Sequence, residues 1–222
     1  MKKGFNPVGI FGGTFDPIHF GHLRLAQEVA GYCALESVRV VPAGIPPHRN
    51  PPHCEASHRF EMVRIAACGN SLFIPDPREI RKGSPCFSVE TLIEMRAELG
   101  DEQPLCLMLG ADAFLGLARW HRWTELFDLA HILVAQRPGF DIRCAMTSPL
   151  REAYAQRLAI GPEVLRQSPC GGIVNVDITL LDISSSMIRE CFSRGTSARY
   201  LLPDGVLDYI QSHNLYREQH EV

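Results

Sequence analysis

Residues 12–22 read Gly12-Gly13-Thr14-Phe15-Asp16-Pro17-Ile18-His19-Phe20-Gly21-His22, between two runs of different period. Before them, residues 8–11 (VGIF) are short and apolar, as a buried strand is. After them, residues 23–30 (LRLAQEVA) alternate as a helix face does. A glycine-rich turn from strand to helix aims backbone N–H groups and a helix N-terminus at one spot, and such a spot holds phosphate. His19 and His22 lie three positions apart at the helix start. If helical there, they share a face and reach the same anion. Alone, a glycine pair with nearby histidines also reads as a plain structural loop.

The same alternation of periods continues along the chain. Apolar, β-branched runs recur at 38–41, 105–109, 131–135 and 173–178. Helical patterns fall at 59–67, 89–99 and 124–129. Strands alternating with helices predict an α/β fold, a Rossmann-like doubly wound parallel sheet. Ligands in such a sheet bind beyond the carboxyl ends of the strands. Three glycine-containing turns lie at such ends: the first motif, Gly110-Ala111-Asp112 and Arg137-Pro138-Gly139.

Residues 42–57 hold five prolines and read as a long irregular loop of the kind that covers substrates. A short helical patch is expected at 150–158. The last part of the chain, from about 181 to 222, reads as a small C-terminal helical extension of one domain spanning 1–222. In it Ser184-Ser185-Ser186 starts a helix, serine being a favoured N-cap. Arg189 follows one turn inside and can lean back to an anion at that N-terminus. Pro203 opens a last helix carrying Val206, Leu207 and Ile210.

Bulk composition sets further bounds. The 222 residues suffice for one α/β domain with a sizeable core. Net charge is −3 and no lysine-rich run occurs, which argues against a nucleic-acid partner. No window approaches eighteen apolar residues, so no membrane span is expected. The eight cysteines are scattered without a CxxC pair, and no signal peptide is read. Free thiols in a reducing cytoplasm are the simplest expectation. His48, His53, Cys54 and His58 cluster in sequence, but their spacing fits no standard zinc pattern.

The motifs together resemble the bacterial nicotinate-nucleotide adenylyltransferases, within the nucleotidyltransferase superfamily that shares an HxGH signature. The resemblance covers nearly the whole chain. It runs through residues 12–23, Pro46-Pro47-His48-Arg49, residues 81–92, Gly110-Ala111-Asp112 and Trp120. It continues through Arg137-Pro138-Gly139, Ile-Ser-Ser-Ser-Met-Ile-Arg at 183–189 and the terminal Tyr200-Leu201-Leu202-Pro203, Tyr209-Ile210 and Leu215-Tyr216. Cys86-Phe87-Ser88-Val89-Glu90 departs from the family's Ser-Tyr-Thr-x-Asp, and Ser186 stands where threonine is usual. Ala43 and Gly44 stand where asparagine is often found.

The resemblance implies transfer of the adenylyl group of ATP to nicotinate mononucleotide, giving deamido-NAD and pyrophosphate. An ionised phosphate is already a nucleophile, so the site must align it and neutralise growing charge. His19, His22 and Arg189 are then the catalytic side chains. Gly12, Gly13, Thr14, Phe15, Gly110, Asp112, Ser185 and Ser186 are the expected ATP contacts. His48, Arg49, Phe87, Ser88, Trp120, His121 and Arg137 are expected on the mononucleotide. Trp120 suits the pyridine ring, and N–H groups near Ser88 and His121 suit its carboxylate. Mg²⁺ is expected through the ATP phosphates, with no protein side chain assigned to it. A homo-oligomer is left open. The alternatives are a sister transferase using nicotinamide mononucleotide or phosphopantetheine, and a non-catalytic nucleotide sensor.

Overall fold

A computed structural model of the chain describes residues 6–45, 51–139 and 141–217. Six strands form one all-parallel sheet: β1 (Val8–Gly13), β2 (Ser37–Pro42), β3 (Phe73–Pro75), β4 (Leu105–Gly110), β5 (His131–Gln136) and β6 (Ile173–Asp177). Their spatial order is β3-β2-β1-β4-β5-β6. Strand order reverses between β1 and β4, which is where such sheets open a ligand crevice. Five of the six strands coincide with the apolar runs. The edge strand β3 was not expected: its three residues, one of them proline, are too short for a period to show.

Helices cover both faces, and the alternation along each strand decides which. Phe11, Met108, Leu133 and Val174 face one core, with α1 (Phe20–Cys33) and α2 (Ala56–Ala67). Ile10, Leu107, Leu109, Ile132 and Val134 face the other. That second core is closed by α3 (Ser88–Leu99), α4 (Ala111–Leu115), α5 (Leu126–Leu129) and α6 (Ser148–Arg157). A one-residue slip in any strand would exchange these sets, so the register is strongly specified.

The C-terminal helices α7 (Ser185–Ser193) and α8 (Asp204–Ser212) bury Ile188, Val206, Leu207 and Ile210 in the first core, beside α1 and α2. The expected C-terminal extension therefore shares the core of the sheet. Two other boundaries shift. Gly110-Ala111-Asp112 is a helix start, not a loop, because α4 begins at Ala111. The irregular stretch at 42–57 gives way to α2 at Ala56. All eight cysteines are free. Among the described residues no helix is long and apolar enough to cross a membrane.

Candidate active site

The first motif is shaped by packing that its spelling does not announce. Phe15 has φ 48°, the left-handed region that a bulky side chain enters only at a cost. It stays there because its ring is buried against Phe11 and His22, at centroid distances of 5.4 and 5.1 Å. The ring folds back over Gly13, where a Cβ would lie 2.8 Å from it. The glycine is therefore a steric requirement of Phe15, in addition to opening the backbone to a ligand.

A buried arginine holds this loop from below. Arg59, 1% exposed, donates from Nη1 to the Thr14 carbonyl at 2.8 Å. Its Nη2 donates to the Gly44 carbonyl at 3.1 Å, and its Nε to that of Cys54 at 3.2 Å. One guanidinium thus fixes the loop after β1 to the segment after β2. Burial lowers the Arg59 pKa, while Asp16 nearby pulls it back up. By sequence Arg59 was only a member of a helical pattern.

His19 is the N-cap residue of α1, and His22 lies in its first turn. Their rings stack with centroids 3.7 Å apart and planes 27° from parallel. Neither Nδ1 atom meets a hydrogen-bond partner among the described residues, although both are buried. Burial lowers the His19 pKa to about 4. It pushes His22 well below the ordinary range, and a charge on His19 would push it further. Both rings are neutral near pH 7.

Toward their carboxyl ends β1 and β4 part. They are paired from Val8↔Leu105 to Ile10↔Leu107 and no further, though each strand continues for three residues. The gap is a cavity of about 260 Å³. Gly12, Gly13, Thr14 and Gly110 line it from the strand ends, and Phe87, Ser88, Trp120 and His121 from the opposite side. The Phe87 and His121 rings lie 4.5 Å apart. Ala43, Glu79 and Cys86 also line it. Glu79 accepts a 2.6 Å bond from the Thr91 hydroxyl and is held by the Gly44 backbone N–H as well. Burial is the main influence on Glu79 and raises its pKa. A Cβ on Gly44 would meet the Glu79 carbonyl oxygen at 2.3 Å. An asparagine therefore does not fit at 44 in this chain.

The C-terminal motif reaches the first one directly. Ser184 caps α7, its hydroxyl oxygen accepting from the Met187 N–H at 3.1 Å. Ser185 donates to the Pro17 carbonyl at 2.9 Å. The Arg189 guanidinium does lean back: Nη2 donates to the Ser186 hydroxyl oxygen at 3.3 Å, and Nη1 to the Asp16 carbonyl at 2.7 Å.

Not every expected residue joins the cavity. Asp112 is exposed in the first turn of α4, and Arg137 is exposed just past β5; neither lines the gap. Phe15, His19, His22, Ser185, Ser186 and Arg189 do not line it either. His48 and Arg49 lie outside the described residues. Sequence reading passed over Arg59 and Glu79. The sequence presents Asp16 only within the first motif and Tyr216 only within the terminal one, with His53 and Cys54 in a cluster that fits no zinc pattern. Arg59 opens a helical pattern, while Glu79 stands in the charged stretch 76–82 (DPREIRK), which offers no signal.

The cytidylyltransferase-like family model matches residues 10–191. A Dechloromonas aromatica protein named "Probable nicotinate-nucleotide adenylyltransferase" is 50% identical, covering 95% of this chain and 98% of its own. A Methylococcus capsulatus protein of the same name is 46% identical, covering 94% and 99%. Among solved structures, Plasmodium falciparum nicotinic acid mononucleotide adenylyltransferase complexed with NaAD matches with a TM-score of 0.69 at 18% identity. It covers 95% of this chain and 97% of that one, and at this identity it shows the fold.

Proposed function

This chain belongs to the nicotinate-nucleotide adenylyltransferases, enzymes of adenylyl transfer in NAD biosynthesis, and from that premise we propose how its own residues perform the reaction. ATP and nicotinate mononucleotide meet at the gap between β1 and β4, and the products are deamido-NAD and pyrophosphate. One observation carries this reading: residues of the first motif and of the 87–121 region line one cavity, and Phe11 in its wall lies 6.3 Å, ring to ring, from His22.

The mononucleotide phosphate attacks the α-phosphorus of ATP in line and the pyrophosphate leaves. No protein base is required; the chain supplies alignment and charge stabilisation. Neutral His19 and His22 each donate one hydrogen bond to phosphate oxygens. The approaching oxyanions favour their protonated forms, so positive charge develops where negative charge grows. Arg189, already aimed at the motif by Asp16 and Ser186, takes the β- and γ-phosphates with Ser185 and Ser186. Thr14 and Phe15 offer backbone N–H groups, and Gly12, Gly13 and Gly110 allow close approach.

On the acceptor side Trp120 stacks on the pyridine ring. The first turn of α3, which opens beside Phe87 and Ser88, takes the nicotinate carboxylate, with the His121 backbone helping. An amide lacks the negative charge that this turn favours, so the acid is preferred. Arg137, with His48 and Arg49, is assigned to the mononucleotide phosphate, and Asp112 to ribose hydroxyls. The described residues include no group of three or more His, Cys, Asp or Glu that could hold a metal, and the Asp16 carboxylate already accepts from Tyr216 and His53. Mg²⁺ is assigned to the ATP phosphates, where it would neutralise their charge.

The test is pyrophosphate release from ATP with nicotinate mononucleotide, nicotinamide mononucleotide and phosphopantetheine in turn. Turnover with nicotinate mononucleotide, faster than with the amide, is expected. Turnover with neither mononucleotide overturns the assignment in favour of a sensor or a sister enzyme. Equal rates with both overturn only the account of acid preference.

A further inference from the structure

Asp16 is 4% exposed, and its carboxylate sits where three distant segments meet. Oδ1 accepts a 2.8 Å bond from the Tyr216 hydroxyl, two hundred positions away. Oδ2 accepts from the His53 backbone N–H at 2.8 Å and lies 3.3 Å from His53 Nδ1. The same oxygen is 3.9 Å from Arg189 Nη1, whose hydrogen bond goes to the Asp16 carbonyl. Burial, reinforced by the neighbouring Asp16 charge, pushes the Tyr216 hydroxyl well above its ordinary range, so it remains a donor. The Tyr216 ring packs near Phe192 of α7, centroids 6.2 Å apart, on the helix that carries Arg189.

We infer that Asp16 and Tyr216 are positioning residues for Arg189: the tyrosine fixes the carboxylate, and the residue so fixed presents the guanidinium to the triphosphate. This rests on the reading of Arg189 as a triphosphate contact. The Asp16 carbonyl alone would bond Arg189, but a carbonyl in an unanchored turn offers no fixed direction. Two donors on one buried carboxylate, the Tyr216 hydroxyl and the His53 backbone N–H, supply that direction. The C-terminal segment thereby becomes part of the ATP side of the site, and His53 brings the segment after β2 to the same point.

The test is a double-substitution cycle of Y216F and R189A, with ATP affinity read by calorimetry and turnover read separately. Y216F is expected to weaken ATP binding by about tenfold in the parent chain and by less than about twofold in the R189A background. The KM for the mononucleotide stays within about twofold of the parent value in Y216F. D16N is run in parallel, because it perturbs the same contact from the other side and serves if Y216F melts early. Unchanged ATP affinity in Y216F, or equal losses in both backgrounds, overturns the inference. Loss of folding in both Y216F and D16N also overturns it, assigning the cluster to stability alone. A cycle that closes as expected in a chain without turnover leaves this inference standing and removes the catalytic reading.

Discussion

The imidazole rings of His19 and His22 stack 3.7 Å apart at the start of α1, and the environment that holds them there keeps both uncharged. Two protonated imidazoles at that separation would repel strongly in a buried site. The pair stays neutral until an anion arrives.

A pH dependence follows. A histidine with a depressed native pKa binds fewer protons folded than unfolded, so stability rises with pH through that interval. For His19 the interval runs from about 4 up to the ordinary value of 6.5. The free protein is fully stable above it and loses stability as pH falls through it. The His19 contribution is on the order of 3 kcal/mol across the interval. Thermal melts from pH 7.5 to 4.5 check this: a flat profile contradicts it. ATP reverses the bias, so its binding takes up protons. Calorimetry of ATP binding in two buffers of different ionisation enthalpy should give different apparent heats.

Removing a group that stabilises charge in the transition state should cost rate more than fold. H22A and R189A are each expected to lower kcat by about 10² or more, the scale seen when one oriented donor to a transition state is lost. Melting temperatures should fall only modestly for R189A, whose side chain is 21% exposed. Steady-state kinetics beside thermal melts decide it, and full activity in H22A would sink the role given to the pair.

Arg59 is expected to behave in the opposite way. R59M leaves the carbonyls of Thr14, Gly44 and Cys54 without their donor. Each abandoned buried acceptor costs about 1–3 kcal/mol, so a loss of at least about 3 kcal/mol is expected. R59K keeps the charge but cannot present a planar fork to three carbonyls, and should recover only part of it. Urea midpoints of the two variants measure this directly.

Gly44 links the same loop to the acceptor wall. G44A forces a Cβ to within 2.3 Å of the Glu79 carbonyl oxygen, a backbone atom that cannot rotate away. About 1–3 kcal/mol of stability is expected to go. The KM for the mononucleotide should rise while that for ATP stays near the parent value, because Glu79 lines the cavity with Phe87 and Trp120. Equal changes in both KM values would contradict the assignment of that wall to the acceptor.

Much of the fold was legible because it is local. Period-two alternation in β1, β4 and β5 divides their residues between two cores, and a short apolar run read alone already carries that division. The Gly-Gly turn and the triple serine were legible for the same reason, since caps and turns depend on neighbouring residues only. The three-residue edge strand β3 carried too little pattern, and Asp112 looked loop-like until α4 was seen to start beneath it.

The amino-acid sequence by itself determined the parallel α/β sheet, the two histidines at its switch point and the arginine one turn into α7. Only the tertiary structure decided what holds them. Arg59 is in the sequence only the start of a helical pattern, yet it is buried under the first motif. Tyr216 and Asp16 are unrelated in sequence, yet they share a 2.8 Å hydrogen bond. The physical reason is that periodicity and capping are set within a few residues, whereas a buried charge finds its partners only after chain segments from far apart have excluded water around it.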